Sequence, residues 1–143
     1  NTFTWEDDIK NYTSNVRVLG LKRNDEMPDV YKNADVFILS SLWEGSALSM
    51  MEAMASSMPV IASSHSCAPD MIDEGIEGFV YNPYSINELK NHIIWYLNNR
   101  DKIIPMGKAA REKAEHYTWD KYYENCESVL NKIIDLEDEK SNK

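Results

Sequence analysis

Residues 43–60 of the chain read WEGSALSMMEAMASSMPV, and they set the architecture of the sequence around them. An apolar run at residues 36–39 precedes them and predicts a strand that is buried on both faces. After a short turn, the stretch continues into a segment rich in Ala, Met and Leu, which favour helix. In a parallel sheet, this order of strand, loop and helix places the unpaired N–H groups of the helix N-terminus at the carboxyl edge of the strands.

The charge pattern of this region indicates a binding site. Between Glu44 and Asp70 the one residue that is charged at neutral pH is Glu52. A carboxylate in such an apolar helical run is costly unless something hydrogen-bonds to it. Glu44 lies in the loop and Glu52 about two turns into the helix, so both could face one ligand across the helix start. The alternative for each is an ordinary solvated glutamate, and the context favours a functional role, more strongly for Glu52.

Composition limits the classes of partner. The chain has 143 residues, of which 43% are apolar, and this is enough for one domain with a core. A net charge of −9 argues against a nucleic-acid partner, which needs a basic face. The acidic charge does not exclude a single nucleotide diphosphate, because a helix N-terminus binds phosphate locally whatever the overall sign.

The cysteines and histidines give no sign of a metal site. Cys67 and Cys126 form no CxxC pair, and the three histidines show no metal-ligand spacing with them. Two isolated cysteines indicate reduced thiols in a cytoplasmic protein. No apolar run reaches the roughly 18 residues of a membrane span, and residues 1–10 are polar and mixed in charge, unlike a signal peptide. We therefore expect a cytoplasmic protein, and peripheral association with the inner face of the membrane stays open.

Short apolar runs alternate with helical patterns along the chain. Strands are predicted at residues 16–19, closed by Gly20, and at residues 36–39, 59–62 and 78–81. Besides the central helix, helices are predicted at residues 26–33, 69–74 and 102–116, after a capping box of Ser85 and Glu88, and after Thr118. The apolar side chains of the last helix form one stripe, which indicates that something packs there.

This alternation predicts an α/β fold with a Rossmann-like parallel sheet flanked by helices. The domain is expected to cover residues 1–135. Residues 136–143 are mostly charged and are expected to form a disordered tail.

Four short motifs occur in a fixed order: ADVFILSS at residues 34–41, EG at 44–45, EAMA at 52–55 and MPVIA at 58–62. In order and spacing they resemble the donor-binding domain of family-4 retaining glycosyltransferases of the GT-B fold. Residues 74–80 look like that family's "DG..G.lv" element, and residues 106–107 and 117–119 look like its C-terminal "mg..ar…fsw" pattern. The resemblance covers residues 15–134, and its specific core is the E-x7-E pair of Glu44 and Glu52 between a strand and a helix.

The resemblance implies a role for each site residue. Glu52 would accept hydrogen bonds from the ribose hydroxyls of a nucleotide-diphosphate sugar, because two acceptor oxygens suit a vicinal diol. Glu44 would be the catalytic residue, near the carbon where positive charge develops in an oxocarbenium-like transition state. The substrate-binding loop would consist of Gly45, Ser46, Ala47 and Leu48. The candidate region for the nucleotide base would be Gly20 and Leu21.

Several other residues have two readings. His65 and Cys67 could edge the site, but a polar loop is the simpler interpretation. Trp95 and Trp119 are better explained as core or interdomain contacts than as a sugar platform. The side chains of Lys22 and Arg23 could approach the nucleotide, but solvated surface charge is the simpler interpretation.

The implied activity is transfer of a sugar from a nucleotide-diphosphate sugar, with retention, to a glycan or lipid-linked acceptor. The alternatives are a non-catalytic nucleotide-sugar-binding module and a GT-B epimerase or phosphorylase. Without a DxD motif or a His/Asp cluster, activity is expected to need no metal or other cofactor. The chain departs from the family pattern at Ser57, where glycine is usual, and at residues 46–48, where the commoner sequences are of the Phe-Gly-Leu or Leu-Pro type.

The resemblance also carries an expectation about completeness. It assigns the strands at residues 16–19 and 36–39 to positions three and four of a sheet ordered 3-2-1-4-5-6, whose first two strands lie in the middle. The catalytic basic pair and the acceptor-binding domain would likewise lie upstream. We therefore expect the chain to be part of a longer protein, and alone to be poorly stable, to aggregate, or to pair residues 16–19 directly with residues 36–39.

Overall fold

The computed structural model describes residues 15–141, which are organised around a three-stranded parallel sheet. Strand β1 is Phe37–Leu39, β2 is Val60–Ser63 and β3 is Gly78–Tyr81. The strand order is β1-β2-β3, with Phe37 opposite Val60 and Val60 opposite Gly78. All residues of β2 are buried, as expected for the middle strand of a sheet that is covered on both faces.

Helices connect and flank the strands. In chain order they are α1 (Met27–Lys32), α2 (Leu48–Ala55), α3 (Ala68–Met71), α4 (Ile86–Asn98), α5 (Ile103–Ala114) and α6 (Trp119–Ser141). Short 3-10 turns, Asn24–Glu26 and Arg100–Lys102, precede α1 and α5. The predicted α/β class, with a Rossmann-like parallel sheet flanked by helices, is confirmed.

The alternation of side chains along β2 divides the core into two layers. Val60 and Ala62 pack with the buried methionines of α2 and with Ala110 of α5. Ile61 points to the opposite face, where it packs with Tyr81 and with Tyr96 of α4. Because successive residues of a strand face opposite sides of the sheet, α2 and α4 cover different faces. A smaller cluster joins α1 to the end of α2.

The strand predicted at residues 16–19 is wrong. These residues are exposed and have no regular secondary structure, and no strand of the described residues lies beside them. The sequence pattern favours a strand, but a strand also needs a partner whose N–H and C=O groups complete the ladder. Direct pairing with residues 36–39 does not occur either, so β1 is an edge strand within residues 15–141.

The last helix begins where the sequence predicts. Thr118 caps α6 as expected, with its Oγ1 accepting a hydrogen bond from the backbone N–H of Lys121 at 3.2 Å. The helix then continues to Ser141, into the region predicted as a charged tail. Neither Gly nor Pro interrupts this segment, and its Leu, Glu and Lys residues favour helix. Residues 1–14 of the predicted domain and residues 142–143 of the predicted tail lie outside the described residues.

Helix α2 ends in a Schellman motif. The N–H of Met58 donates to the carbonyl of Ala53 at 3.0 Å, and that of Ser57 donates to the carbonyl of Met54 at 2.9 Å. Ser57 has a φ of 63°, the left-handed conformation in which glycine is usual. A close neighbour is Gly107 of α5, where an added Cβ would overlap the carbonyl oxygen of Ser57. The departure from the family pattern at Ser57 therefore falls on a strained position.

We expect the substitution Ser57→Gly to stabilise the protein. Placing an L-residue in the left-handed region costs roughly 1–2 kcal/mol, and glycine's extra freedom in the unfolded chain offsets about 0.4–1 kcal/mol of the gain. The net increase in the free energy of unfolding should be about 0.5–1 kcal/mol, measured by urea denaturation.

The matched control is Ser56→Gly. Ser56 is the neighbouring residue, but its φ is −85°, which any residue adopts without strain. This substitution should lower the free energy of unfolding. An equal gain in both variants, or a loss in Ser57→Gly, would show that the turn is not strained.

Candidate functional site

The loop at residues 40–47 joins the carboxyl end of β1 to the start of α2. Because the strands are parallel, the loop that follows β2 leaves the sheet at the same edge. The two loops meet there, where the backbone N–H of Glu44 donates to the carbonyl of His65 at 3.0 Å. The half-buried Glu44 thus lies at the carboxyl edge of the sheet, the position expected from the order of strand, loop and helix.

His65 makes a second contact to the same loop. Its ring Nδ1 lies 3.2 Å from the carbonyl oxygen of Leu42, and Tyr84 packs edge-on against the ring with centroids 5.4 Å apart. The backbone N–H of His65 donates to Ser63 Oγ at 3.1 Å. His65 therefore holds the loop that contains Leu42 and Glu44. The sequence does not reveal this role, because Leu42 and His65 are far apart along the chain. The neighbouring Cys67 instead packs against the core under α2.

The start of α2 is open to a ligand. The N-cap residue Ala47 is buried and has no side-chain group that could cap the helix, and the first turn of α2 contains no acidic residue. The N–H of Leu48 bonds back to the carbonyl of Ser46 at 3.1 Å. A Cβ added at Gly45 would meet nothing within 4 Å, so the space beside this residue is empty. No carboxylate of this turn therefore competes with an anionic ligand for the helix N-terminus.

Glu52 lies on the exposed side of α2, between the half-buried Met51 and the buried Ala53. The hydrogen-bond partner that the sequence requires for this carboxylate is Tyr31 of α1, whose hydroxyl donates to Glu52 Oε2 at 2.8 Å. The Tyr31 side chain is 5% exposed. The expectation of an apolar setting is thus wrong, since Glu52 is exposed, and the protein group that hydrogen-bonds to the carboxylate is the Tyr31 hydroxyl.

The segment proposed to contact the nucleotide base lies on the surface. Gly20 has a φ of 67°, and Leu21 is fully exposed. The cations that follow are paired with acidic residues around the 3-10 turn before α1: Lys22 Nζ lies 3.7 Å from Glu26, and Arg23 lies 2.8 Å from Asp25. These ion pairs favour solvated surface charge as the interpretation of Lys22 and Arg23.

A cavity of about 830 Å³ adjoins the start of α2. One wall consists of the predicted substrate-binding residues Ser46 and Leu48, together with Met51. The other wall is the junction of α5 and α6, and its residues are Lys113, His116, Tyr117, Thr118, Trp119, Lys121, Tyr122 and Asn125. Trp119, expected to be a core or interdomain residue, is 74% exposed. Within residues 15–141 it therefore lines a cleft and is not part of the core.

Lys113 fixes the α5 side of this cleft. Its Nζ lies 2.7 Å from Asp73 and 3.4 Å from Glu77, and Glu77 is buried. Burial alone would lower the pKa of Lys113, but the hydrogen bond to Asp73 and the charges of Glu77 and Asp73 outweigh it, so the net pKa is raised. The lysine stays charged and ties the turn after α3 to the end of α5.

Among residues 15–141, no group of three or more His, Cys, Asp or Glu side chains is placed to hold a metal ion. None of the described helices is both long enough and apolar enough to cross a membrane.

The sequence matches known proteins over most of its length. The profile of the family "Glycosyl transferases group 1" matches residues 6–113. A sulfoquinovosyl transferase of Arabidopsis thaliana is 36% identical over 103 residues, which are 70% of this chain and 20% of that protein. Spore coat protein SA of Bacillus subtilis is 30% identical, covering 89% of this chain and 37% of that protein. The alpha-monoglucosyldiacylglycerol synthase of Acholeplasma laidlawii is 29% identical, covering 95% and 34% respectively. The chain thus spans between 20% and 37% of the length of these relatives.

Solved structures share the fold. Sucrose-phosphate synthase from Thermosynechococcus elongatus superposes with a TM-score of 0.78 at 23% identity, covering 92% of this chain and 34% of that chain. Anabaena HepE in complex with UDP-glucose gives a TM-score of 0.73 at 20% identity, covering 91% and 38% respectively. Together with the family match, these comparisons show that the chain belongs to the group 1 glycosyl transferases and has the Rossmann-like α/β architecture of a GT-B glycosyltransferase domain.

Proposed function

We propose that this domain binds the donor, a nucleotide-diphosphate sugar, in a retaining glycosyltransferase of family 4. The observation that carries the proposal is the arrangement of α2, whose N-terminus has no side-chain cap and adjoins a cavity and whose Glu52 presents an oriented carboxylate. A helix N-terminus favours phosphate, and a carboxylate favours a vicinal diol, so one helix offers partners for two parts of the same ligand. The solved complexes of HepE with UDP and with UDP-glucose support this ligand class.

Each part of the donor has a partner at this edge of the sheet. The diphosphate lies at the first turn of α2, beside Gly45 and Ser46, where backbone N–H groups and the helix dipole meet its charge. The ribose hydroxyls donate to Glu52. The sugar lies beside the Glu44 loop, so the Glu44 carboxylate can stabilise the positive charge that develops at the reacting carbon. Gly20 and Leu21 remain the proposed region for the base.

The acceptor is proposed to be a glycan or a lipid-linked sugar. The names of two relatives support this class: the alpha-monoglucosyldiacylglycerol synthase, and the amylovoran biosynthesis glycosyltransferase of Erwinia amylovora. Because the chain spans 20% to 37% of its first relatives, we assign the acceptor site and the basic pair for the diphosphate to other parts of the whole protein. We propose a cytoplasmic location, at the inner face of the membrane where the acceptor is a lipid, which agrees with the free thiols of Cys67 and Cys126.

The first test is nucleotide binding by the whole protein. We expect isothermal titration calorimetry to detect binding of UDP or GDP, and a radiolabelled sugar to be released from the corresponding donor. Absence of heat with both nucleotides would contradict the donor-binding proposal. Binding without any turnover on a panel of glycan and lipid acceptors would favour the non-catalytic binding module.

The second test separates the two glutamates. Glu52→Ala should weaken nucleotide binding by roughly 1.5–3 kcal/mol, the worth of charge-assisted hydrogen bonds. Glu44→Gln should mainly lower kcat, because its interaction with the sugar strengthens as charge develops in the transition state. Calorimetry and steady-state kinetics on the same preparations measure both effects. Equal losses of affinity with kcat unchanged in both variants would contradict these roles.

The third test concerns metal ions. We expect full transferase activity in excess EDTA, since the helix N-terminus and basic side chains meet the diphosphate charge in this proposal. Activity is measured as sugar transfer before and after chelation. A strict requirement for added magnesium or manganese would show that the diphosphate is neutralised in another way.

A further inference from the structure

The hydroxyl of Tyr31 is aimed at the carboxylate that the proposed function assigns to the ribose. It donates to Glu52 Oε2 at 2.8 Å from a side chain that is 5% exposed. We infer that Tyr31 is a positioning residue for nucleotide binding: it fixes the Glu52 side chain so that the remaining carboxylate oxygen is presented to the ribose diol. This inference rests on the proposed function and adds to it a residue that does not itself touch the ligand.

The Tyr31 ring is held on several sides. It packs in a cluster with Ala53 and Met58, at the end of α2, and edge-on against Phe37 of β1 with ring centroids 6.3 Å apart. These contacts join α1, β1 and α2 around one aromatic side chain. The hydroxyl is therefore held at a fixed position, next to the exposed side of α2 where Glu52 lies.

Fixing Glu52 matters because the residue is exposed. A free glutamate on a helix surface populates several rotamers, and a ligand must select one of them at a cost in side-chain entropy. The hydrogen bond from Tyr31 already restricts the Glu52 side chain before the ligand binds, which lowers the entropy cost of binding. It occupies one lone pair of Oε2 and leaves Oε1 with its full capacity to accept hydrogen bonds from a diol.

Tyr31 keeps its proton throughout the working pH range. Burial, the hydrogen bond to Glu52 and the negative charge of that carboxylate raise the pKa of Tyr31 to about 12. Because only the protonated phenol can donate, the hydrogen bond persists until the pH rises through this value. The positioning effect should therefore be constant over neutral pH.

The test is Tyr31→Phe in the whole protein, with UDP and GDP as the probes. Phenylalanine keeps the ring and its packing and removes only the donor. We expect the Kd for the nucleotide that binds, and the KM for its sugar donor, to rise roughly 3- to 10-fold while kcat is unchanged. In the Glu52→Ala background, Tyr31→Phe should have no further effect, because the group that it positions is gone.

The matched control is Tyr96→Phe. Tyr96 is also a buried tyrosine, and its hydroxyl has no hydrogen-bond partner among the described residues. Removal of this hydroxyl should leave Kd and KM unchanged. A second variant, Glu52→Asp, keeps Tyr31 and the charge but shortens the side chain by one methylene. It should weaken binding because the carboxylate is displaced. It therefore tests the position of the carboxylate even if Tyr31→Phe lowers the unfolding temperature.

The outcomes distinguish a failure of donor binding from a failure of the role assigned to Tyr31. If the wild-type protein binds neither UDP nor GDP, the proposed function fails and this inference fails with it. If the wild type binds and Glu52→Ala weakens binding, but Tyr31→Phe behaves as Tyr96→Phe does, the inference alone is overturned. Additive losses from Tyr31→Phe and Glu52→Ala would also overturn it, because they would show that Tyr31 acts on binding by another route.

Discussion

The parallel pairing of β2 with both of its neighbours is the constraint on which the site depends. Phe37, Val60 and Gly78 lie side by side in the sheet, so the loops that follow β1 and β2 leave at one edge. A parallel pair needs a crossover, and α2 is the crossover from β1 to β2, which forces its N-terminus to that edge. The hydrogen bond between Glu44 and His65 can form only because both loops start there.

Helix α2 is then fixed at its other end by α5. The Schellman turn at Ser57 lies against Gly107, which leaves room for the carbonyl of Ser57, and Arg111 donates to the carbonyl of Ala55 at 3.1 Å. A helix held at both ends offers its side chains and its N-terminus in one geometry. The strain at Ser57 is compatible with this, because a well-packed neighbour can hold one residue in an unfavourable conformation.

The sequence predicts the local features well and the long-range contacts poorly. The three strands follow from apolar runs and turn residues, and their observed limits differ from the predicted ones by at most one residue. The pattern of residues 16–19 predicts a strand because it reflects local preference, whereas strand pairing depends on what lies alongside. The contact between Tyr31 and Glu52 spans 21 residues of sequence, and no periodicity links the two. For the same reason the support that His65 gives to Leu42 could not be predicted.

The two walls of the cleft beside α2 differ in how they are held. The wall that contains Ser46 and Met51 belongs to the scaffold of sheet and helices, and it adjoins the core cluster under α2. The wall at α6 is different, because its aromatic residues Trp119 and Tyr122 are exposed and pack on each other with ring centroids 5.8 Å apart. Buried contacts fix geometry far better than exposed ones. The wall formed by the start of α2 is therefore the better fixed of the two, and the wall formed by α6 has more freedom to change shape.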